Sequence, residues 1–319
     1  MSHGEFDIIA RYFARPATRT EVLLGIGDDA AVIAPPRHRR LVVAMDTIVA
    51  GIHFPECTAA DDIGYRALAV NLSDLAAMGA EPAWMTLSLA TPAVDEVWLA
   101  GFAGGLFELA GRHHVDLIGG DTVRGPLVVT VQIAGWVESD RWLTRSGAQP
   151  GDLLFVSGVP GEAAAGLAVI QQGLPATPAA EHLKRRFLRP EPRVALGRSL
   201  RTIASSAMDI SDGLLTDLDK LCAASGCGAR VDVDALPVSL AASQIFAADA
   251  CVDYALAGGD DYEMIFTVPP ARIRDLPDSV RCTQIGVMTG GTVECWRAGK
   301  TFIAGRRGYD HFLAASPQS

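Results

Sequence analysis

Carboxylates dominate the chemistry open to this chain. Aspartates recur in short runs with glycine: Asp28 and Asp29 in Gly25-Ile26-Gly27-Asp28-Asp29, Asp121 in Gly119-Gly120-Asp121-Thr122, Asp209 and Asp212 in Asp209-Ile210-Ser211-Asp212-Gly213, and Asp260 and Asp261 in Gly258-Gly259-Asp260-Asp261. Asp46 and Asp74 complete the set. Any one of them is an ordinary turn former or helix cap, because Asp and Gly favour such positions. Several together are different, because acids that follow apolar strands without a polar buffer gather at one rim of a sheet. Converging carboxylates repel by about 4 kcal/mol per pair at ~4 Å and an effective dielectric of ~20. Bound cations relieve that repulsion. Every donor is an oxygen and no Cys or His stands at ligand spacing, so the expected ion is hard. Mg²⁺ takes one or two carboxylates per ion and completes its shell with water and phosphate, so several aspartates imply several Mg²⁺ ions on a polyphosphate.

The common nucleotide signatures are missing. Gly25 to Asp28 superficially matches a dinucleotide fingerprint, but that motif needs a helix to open at the glycines. Here Ala31-Val32-Ile33-Ala34 runs into Pro35-Pro36, and two adjacent carboxylates repel a pyrophosphate unless a metal lies between them. Neither G-x-x-x-x-G-K-[ST] nor H-R-D-x-x-x-x-N occurs. Gly119, Gly120, Gly258 and Gly259 could bring backbone N–H groups close to phosphate, a weak signal alone. Arg145 is either a surface arginine or a guanidinium fork for ATP phosphates. His53 is either a structural histidine or a substrate contact.

The elements that must position these residues alternate helix and strand. The spacing of Phe6, Ile9, Tyr12 and Phe13 predicts a short amphipathic helix. Two β-rich runs follow, 22–33 around a Gly/Asp turn and 41–45, the second ending at Asp46, where an acid would sit on a rim. Residues 61–78 read as a helix with an Asp cap and a Gly79 stop, with Asn71 and Asp74 on one face. Strands are expected at 84–89, 116–118 and 128–137, and a helix at 95–112. Gln149-Pro150-Gly151-Asp152 marks a boundary between a domain of residues 1–148 and one of 149–319. The second holds a strand at 153–156, helices from Glu162, Glu181 and Pro192, a strand–turn–helix over 208–224 and a strand at 262–268. The fold class is α+β.

Composition narrows the class of partner. The chain has 319 residues, 49% hydrophobic and 20% charged, which suits two soluble domains. A formal net charge of −10 argues against a nucleic-acid surface. The first residues lack a basic, apolar leader and no run approaches the ~20 apolar residues of a membrane span, so a cytoplasmic protein is expected. The six cysteines are scattered without C-x-x-C spacing and read as small hydrophobes in a reducing compartment.

Taken in order, the blocks GIGDDAAVI, MDTIVAGIHF, ALAVNLSDLAAMGAEP, LIGGDTVRGP, LTRSGAQPGD, LRPEPRVALG, MDISDGLLTDL, SGCGARVD, ALAGGDDYE and the terminal GYDHF resemble the thiamine-monophosphate kinase family. That family sits in the superfamily of aminoimidazole ribonucleotide synthetase and selenophosphate synthetase. The resemblance implies a two-domain aminoimidazole ribonucleotide synthetase-like fold, with the N-terminal sheet pairing across a homodimer and ATP with several Mg²⁺ ions in a cleft between the domains. It further implies Asp28, Asp46, Asp74, Asp121, Asp209 and Asp212 as Mg²⁺ ligands. Gly120, Asp121, Arg145 and Ser211 are implied as ATP contacts, and His53, Asp260 and Phe312 as contacts to thiamine monophosphate.

The chain departs from the family pattern twice. Ala44-Met45-Asp46-Thr47 replaces a hydroxyl-rich run, so position 44 has no side-chain oxygen for a metal. Gly-Gly-Asp-Asp replaces Gly-Gly-Glu-Asp, which shortens the acid at Asp260 by one methylene. The implied reaction is direct in-line transfer of the γ-phosphate of ATP to a phosphate oxygen that is already ionised, with no catalytic base and no phospho-enzyme. Among sister enzymes, selenophosphate synthesis lacks its reactive thiol, since no cysteine precedes Gly25, and the NLSDLAAMGA and DISDGL wording disfavours aminoimidazole ribonucleotide synthesis. A non-catalytic Mg-nucleotide-binding regulator is the alternative from another class.

Overall fold

The computed structural model describes residues 5–277, 281–305 and 308–309. Two compact units make up the chain, one of Met1–Trp142 with Pro192–Arg198 and one of Leu143–Glu191 with Ser199–Ser319. In the first, helix α1 (Glu5–Ile8) runs on into a wider π turn at Ile9–Phe13, whose Phe13 ring meets Phe102 edge-on at 6.3 Å. Strands β1 (Val22–Leu24) and β2 (Val32–Ile33) pair antiparallel around the first acidic loop. Then follow β3 (Arg39–Val49), helix α2 (Ala60–Ala77), β4 (Glu81–Thr91), helix α3 (Glu96–His113), β5 (Asp116–Arg124) and β6 (Val128–Glu138).

Among the described residues these strands form a sheet in the order β3-β6-β4-β5, parallel only between β4 and β5. Alternation explains the layers: Met85, Leu87, Leu89, Val129, Val131 and Ile133 are buried on one face. Leu68, Leu72, Leu75 and Ala76 of α2 are also fully buried, and α2 is covered on nearly every side, its buried residues including the polar Arg66, Asn71 and Ser73. Asp95 starts α3 by accepting from Val97 N at 2.9 Å and Trp98 N at 3.1 Å, and left-handed His114 ends it.

Two expectations are corrected here. β3 does not end at Asp46; it continues to Val49, because β6 pairs with it residue for residue from Arg39↔Glu138 to Val49↔Val128, and Asp46 lies mid-strand opposite Val131. Likewise Gly119-Gly120-Asp121 is no turn. It lies inside β5, held by the parallel ladder Thr86↔Gly119, Leu87↔Gly120 and Ser88↔Asp121.

The second unit holds β7 (Leu153–Ser157), α4 (Glu162–Gln171), α5 (Pro178–Leu188), β8 (Ser206–Ile210), α7 (Leu214–Ser225), β9 (Gly228–Asp232), α8 (Leu240–Ser243), α9 (Ala248–Ala257), β10 (Glu263–Val268), β11 (Cys282–Thr289), β12 (Val293–Arg297) and β13 (Lys300–Phe302); α6 is Val194–Leu200. Its described strands run β13-β12-β9-β11-β7-β10-β8, with β9 and β12 the parallel pair. β10 is buried along its whole length, which accounts for its unbroken Met-Ile-Phe-Thr-Val run. Leu214, Leu218 and Leu221 on one face of α7 pack with Val156, Ile210, Val231 and Ile265. Among the described residues, no helix is long and apolar enough to cross a membrane.

Candidate active site

In the first unit, the β1–β2 loop and β5 face the same space. Asp28 and Asp29 from the loop, Gly120 and Asp121 from β5, and Phe6, Ile9 and Phe13 from the N-terminal helical segment line a cavity of about 500 Å³. Gly27, at φ 127°, lets the loop turn, and Asp28 Oδ1 accepts from Asp29 N at 2.9 Å. Asp28, Asp29 and Asp121 are exposed. Gly120 is fixed by packing: at φ 152°, a Cβ there would stand 1.9 Å from the carbonyl oxygen of Leu87. Asp116, at the head of β5, accepts from Thr18 N at 2.8 Å, Thr18 Oγ1 at 2.7 Å and Arg19 N at 2.8 Å, which ties the chain leading into β1 to β5.

Asp46 and Asp74 depend on α2. Asn71, fully buried, accepts the Asp46 N–H at 3.0 Å and donates through Nδ2 to Ala67 O at 2.9 Å. The tie fixes half-buried Asp46 on edge strand β3 against α2, which carries Asp74 one turn further on. His53 closes the turn after β3. Its Nδ1 accepts from Val49 N at 3.1 Å, so in the neutral ring the proton resides on Nε2.

The second unit organises its acids around one loop. β8 delivers Asp209, 5% exposed and opposite Met264, and the chain then curls through Ser211, Asp212 and Gly213 into α7. Asp217, fully buried in the first turn of α7, accepts on one oxygen from Ser211 N at 2.9 Å, Asp212 N at 2.9 Å and Gly213 N at 3.2 Å. Its other oxygen takes Lys220 Nζ at 2.8 Å, and the same ammonium bonds Asp212. Burial raises the Asp217 carboxyl above its ordinary range, against the pull of Lys220 and the Asp212 amide. Burial alone would lower the Lys220 ammonium, but its bonds to Asp212 and Asp217 leave it raised.

The Gly258–Glu263 segment lies on this loop. Asp260 N donates to Ser211 O at 2.8 Å and Tyr262 N to Ile210 O at 2.9 Å, with Asp260 and Tyr262 both left-handed at φ 69° and 51°. A Cβ at Gly259 would come within 2.7 Å of Ser211 O. The two adjacent acids diverge. Asp260 is half-buried beside Tyr262 Oη at 3.4 Å, whereas Asp261 is buried and accepts from Gly161 N at 2.5 Å and Ala163 N at 3.0 Å at the start of α4. Burial pushes the Asp261 carboxyl up to about 8. Glu263 is fully buried with Ser157 Oγ at 2.5 Å and Arg186 at 2.7 Å. Tyr309 N donates to Asp212 O at 2.9 Å; Phe312 lies outside the described residues. Arg145 has an exposed side chain, with its carbonyl held by Ser225 Oγ at 2.9 Å.

The structure thus brings Asp28, Gly120 and Asp121 together in one unit and Ser211, Asp212 and Asp260 together in the other. Among the described residues, no three carboxylate, His or Cys side chains form a ready-made metal cage. The donor set still fits Mg²⁺, whose shell needs one or two carboxylates completed by water and phosphate oxygens. Sequence reasoning put Asn71 on the face of Asp74 without giving it a role, and missed Asp217 and Lys220. The signal for Asn71 was an amide on the apolar face of a helix; Asp217 reads in sequence as any acid in a first helical turn.

The AIR synthase related protein family models match here, the N-terminal domain over residues 27–137 and the C-terminal domain over 149–295. The thiamine-monophosphate kinase of Escherichia coli strain K12 is 48% identical over 322 residues, covering 98% of this chain and 99% of that protein. The crystal structure of thiamine-monophosphate kinase from Stenotrophomonas maltophilia K279a superposes with a TM-score of 0.84 at 46% identity, covering 89% of this chain and 93% of the other. AaThiL complexed with AMPPCP and TMP superposes with a TM-score of 0.79 at 29% identity, over 90% and 92%. With both domain models matched and nearly its full length aligned to such a relative, the chain belongs to the thiamine-monophosphate kinase family of AIR synthase related enzymes.

Proposed function

We propose that the chain uses ATP to phosphorylate thiamine monophosphate, making thiamine diphosphate by direct in-line transfer of the γ-phosphate. The observation that carries this reading is the 48% identity along 98% of the chain to a thiamine-monophosphate kinase, joined to the fold likeness with a relative that binds AMPPCP and TMP. AMPPCP replaces the β–γ bridging oxygen of ATP with carbon, so that complex pairs an unreactive ATP mimic with the acceptor.

The assignments keep those implied by the motifs. Asp28, Asp46, Asp74, Asp121, Asp209 and Asp212 hold Mg²⁺, which when bound neutralises the phosphate charge. Gly120, Asp121, Arg145 and Ser211 bind ATP; His53, Asp260 and Phe312 bind thiamine monophosphate. The acceptor is a phosphate oxygen ionised near neutral pH, so the protein's task is to position two anions, and no side chain needs to remove a proton. Arg145 offers an exposed guanidinium fork to phosphate oxygens. His53, whose Nδ1 accepts from Val49 N–H, carries the proton of its neutral ring on Nε2.

Residues 1–148 form the ATP- and Mg-binding domain and 149–319 the second domain, in a cytoplasmic homodimer joined through the N-terminal sheet. In support of the dimer, edge strand β3 exposes Leu41 at 49%, Val43 at 48% and Met45 at 64% on one face.

A coupled assay with ATP, Mg²⁺ and thiamine monophosphate, run beside Asp74→Asn with chromatographic identification of product, tests the reading. Thiamine diphosphate from wild type, largely lost in the variant, is expected. Absence of product in wild type overturns the reaction, and acid-stable radiolabel on the protein overturns direct transfer.

A further inference from the structure

We infer that Asp217 is a positioning residue for this reaction: its buried carboxylate gathers the amides of Ser211, Asp212 and Gly213, so that this loop meets its ligand with side chains instead of backbone N–H groups. The inference rests on the kinase reading for what the loop binds, but not for how the loop is built.

Three successive amides at the mouth of a helix, next to a glycine, have the makings of an anion-binding nest, and in sequence the DISDGL run invites that reading. Geometry removes it. One oxygen of Asp217 takes Ser211 N at 2.9 Å, Asp212 N at 2.9 Å and Gly213 N at 3.2 Å, from a side chain that is fully buried. The chain therefore supplies its own anion where a phosphate would otherwise sit. Helix α7 runs for twelve residues from Leu214, and the positive end of its dipole is met by the same carboxylate.

What the loop still offers outward is the Ser211 hydroxyl and the Asp212 carboxylate, both half-buried, with Lys220 alongside. That surface suits a cation carried on a phosphate better than a bare phosphate. Because the three amides converge on one point, the curl of the backbone is fixed, and so are the directions in which Ser211 and Asp212 leave it. Asp260 inherits the same placement through its bond to Ser211 O at 2.8 Å.

Two measurements decide the matter. Amide hydrogen exchange of the ligand-free wild type reads the loop directly: residues 211–213 are expected to be protected without ligand and unchanged by AMPPCP with Mn²⁺. Rapid exchange that slows only when AMPPCP is added makes the amides ligand-facing and overturns the inference.

The second measurement compares Asp217→Ala, which removes the acceptor, with Asp217→Asn, which keeps an acceptor oxygen, using Mn²⁺ binding by electron paramagnetic resonance in the presence of AMPPCP and the kcat and KM for thiamine monophosphate. Asp217→Ala is expected to weaken Mn²⁺ binding and lower kcat by about tenfold or more with KM little changed, and Asp217→Asn to recover most of both. A folded Asp217→Ala with wild-type Mn²⁺ affinity and kcat, losing only stability, reduces Asp217 to a structural acid and overturns the proposal. So does a folded Asp217→Asn no better than Ala. Should the alanine variant not fold, the exchange experiment on wild type stands alone. It needs no turnover, so an inactive wild type with protected amides would sink the kinase reading, and with it the positioning role, while leaving the account of how the loop is built.

Discussion

Gly120→Ala separates packing from ligand contact at the second glycine of Gly119-Gly120-Asp121. The built Cβ lies 1.9 Å from the Leu87 carbonyl oxygen, where ordinary contact begins at 3.4 Å, so β4 and β5 must part by roughly 1.5 Å, about a third of the normal strand spacing. Parallel ladder bonds on either side lengthen beyond hydrogen-bond range, and the residue is held at φ 152°, which an L side chain rarely adopts. One or two lost bonds, backbone strain and overpacking together give about 3–6 kcal/mol, a large share of the 5–15 kcal/mol of a typical domain. Gly119→Ala is the control: its Cβ meets only Thr86 Cγ2 at 3.9 Å, and a loss within about 1 kcal/mol is expected. Urea midpoints of the two variants, with the KM for ATP measured on whatever folds, make the assay. A Gly120→Ala protein with the wild-type midpoint and a raised KM for ATP refutes the packing argument and returns this glycine to the phosphates.

Asp261 predicts a pH effect. Its folded-state carboxyl is raised from 3.8 to about 8, so between those values the folded protein holds a proton that the unfolded chain has released, and stability falls as pH rises through that window and levels above about 8. The slope is on the order of 1 kcal/mol per pH unit, and in Asp261→Asn the urea midpoint is expected to lose that component of its decline between pH 6 and 8. Thiol chemistry follows burial: Cys57 is exposed, whereas Cys222 is buried with its thiol pushed up to about 12, so a thiol-reactive dye at pH 8 is expected to modify Cys57 in the native protein and Cys222 only in denaturant. On the exposed face of β3, Val43→Asp is expected to convert a dimer to monomer by light scattering, with circular dichroism unchanged; a wild type already monomeric at micromolar concentration defeats the pairing argument.

How much could be read in advance depended on whether the deciding contact was local. The helices at 60–77 and 96–113 were legible from their apolar spacing, a local fact, but the Asp cap expected for the first is absent: the chain enters that helix one residue earlier, from Ala59 with no side-chain cap bond, and Asp61 lies inside the first turn. Asp46 was misread as a strand end because Asp followed by Thr breaks the apolar run. The strand continues because Ile48 and Val49 still pair with Val129 and Val128 on a strand some eighty residues away. Gly119-Gly120 looked like a turn for the same reason, since only Leu87 across the ladder explains the glycine. Strands β9, β11, β12 and β13 were not anticipated at all. Ala229 to Asp232 does alternate, buried Ala and Val with exposed Arg and Asp, but a run of four residues is too short to mark a strand until its neighbours are known.

The acids themselves divide along a line that sequence does not draw. Asp116, Asp217 and Asp261 look in sequence like Asp28, Asp121 and Asp260, yet each of the first three is buried and accepts at least two backbone amides, bracing a loop or strand end. Asp28 and Asp121 are exposed and Asp260 half-buried. A carboxylate that accepts amide bonds in a buried place is costly to remove, because its amides are stranded with it. An exposed one is cheap to remove for the fold. The two groups should therefore part under substitution: asparagine at Asp28 or Asp121 should leave the urea midpoint near wild type and strike metal-dependent activity, whereas alanine at Asp116 should lower the midpoint first. If both kinds lost stability equally, the division between acids that build the loops and acids that those loops present would have no physical basis.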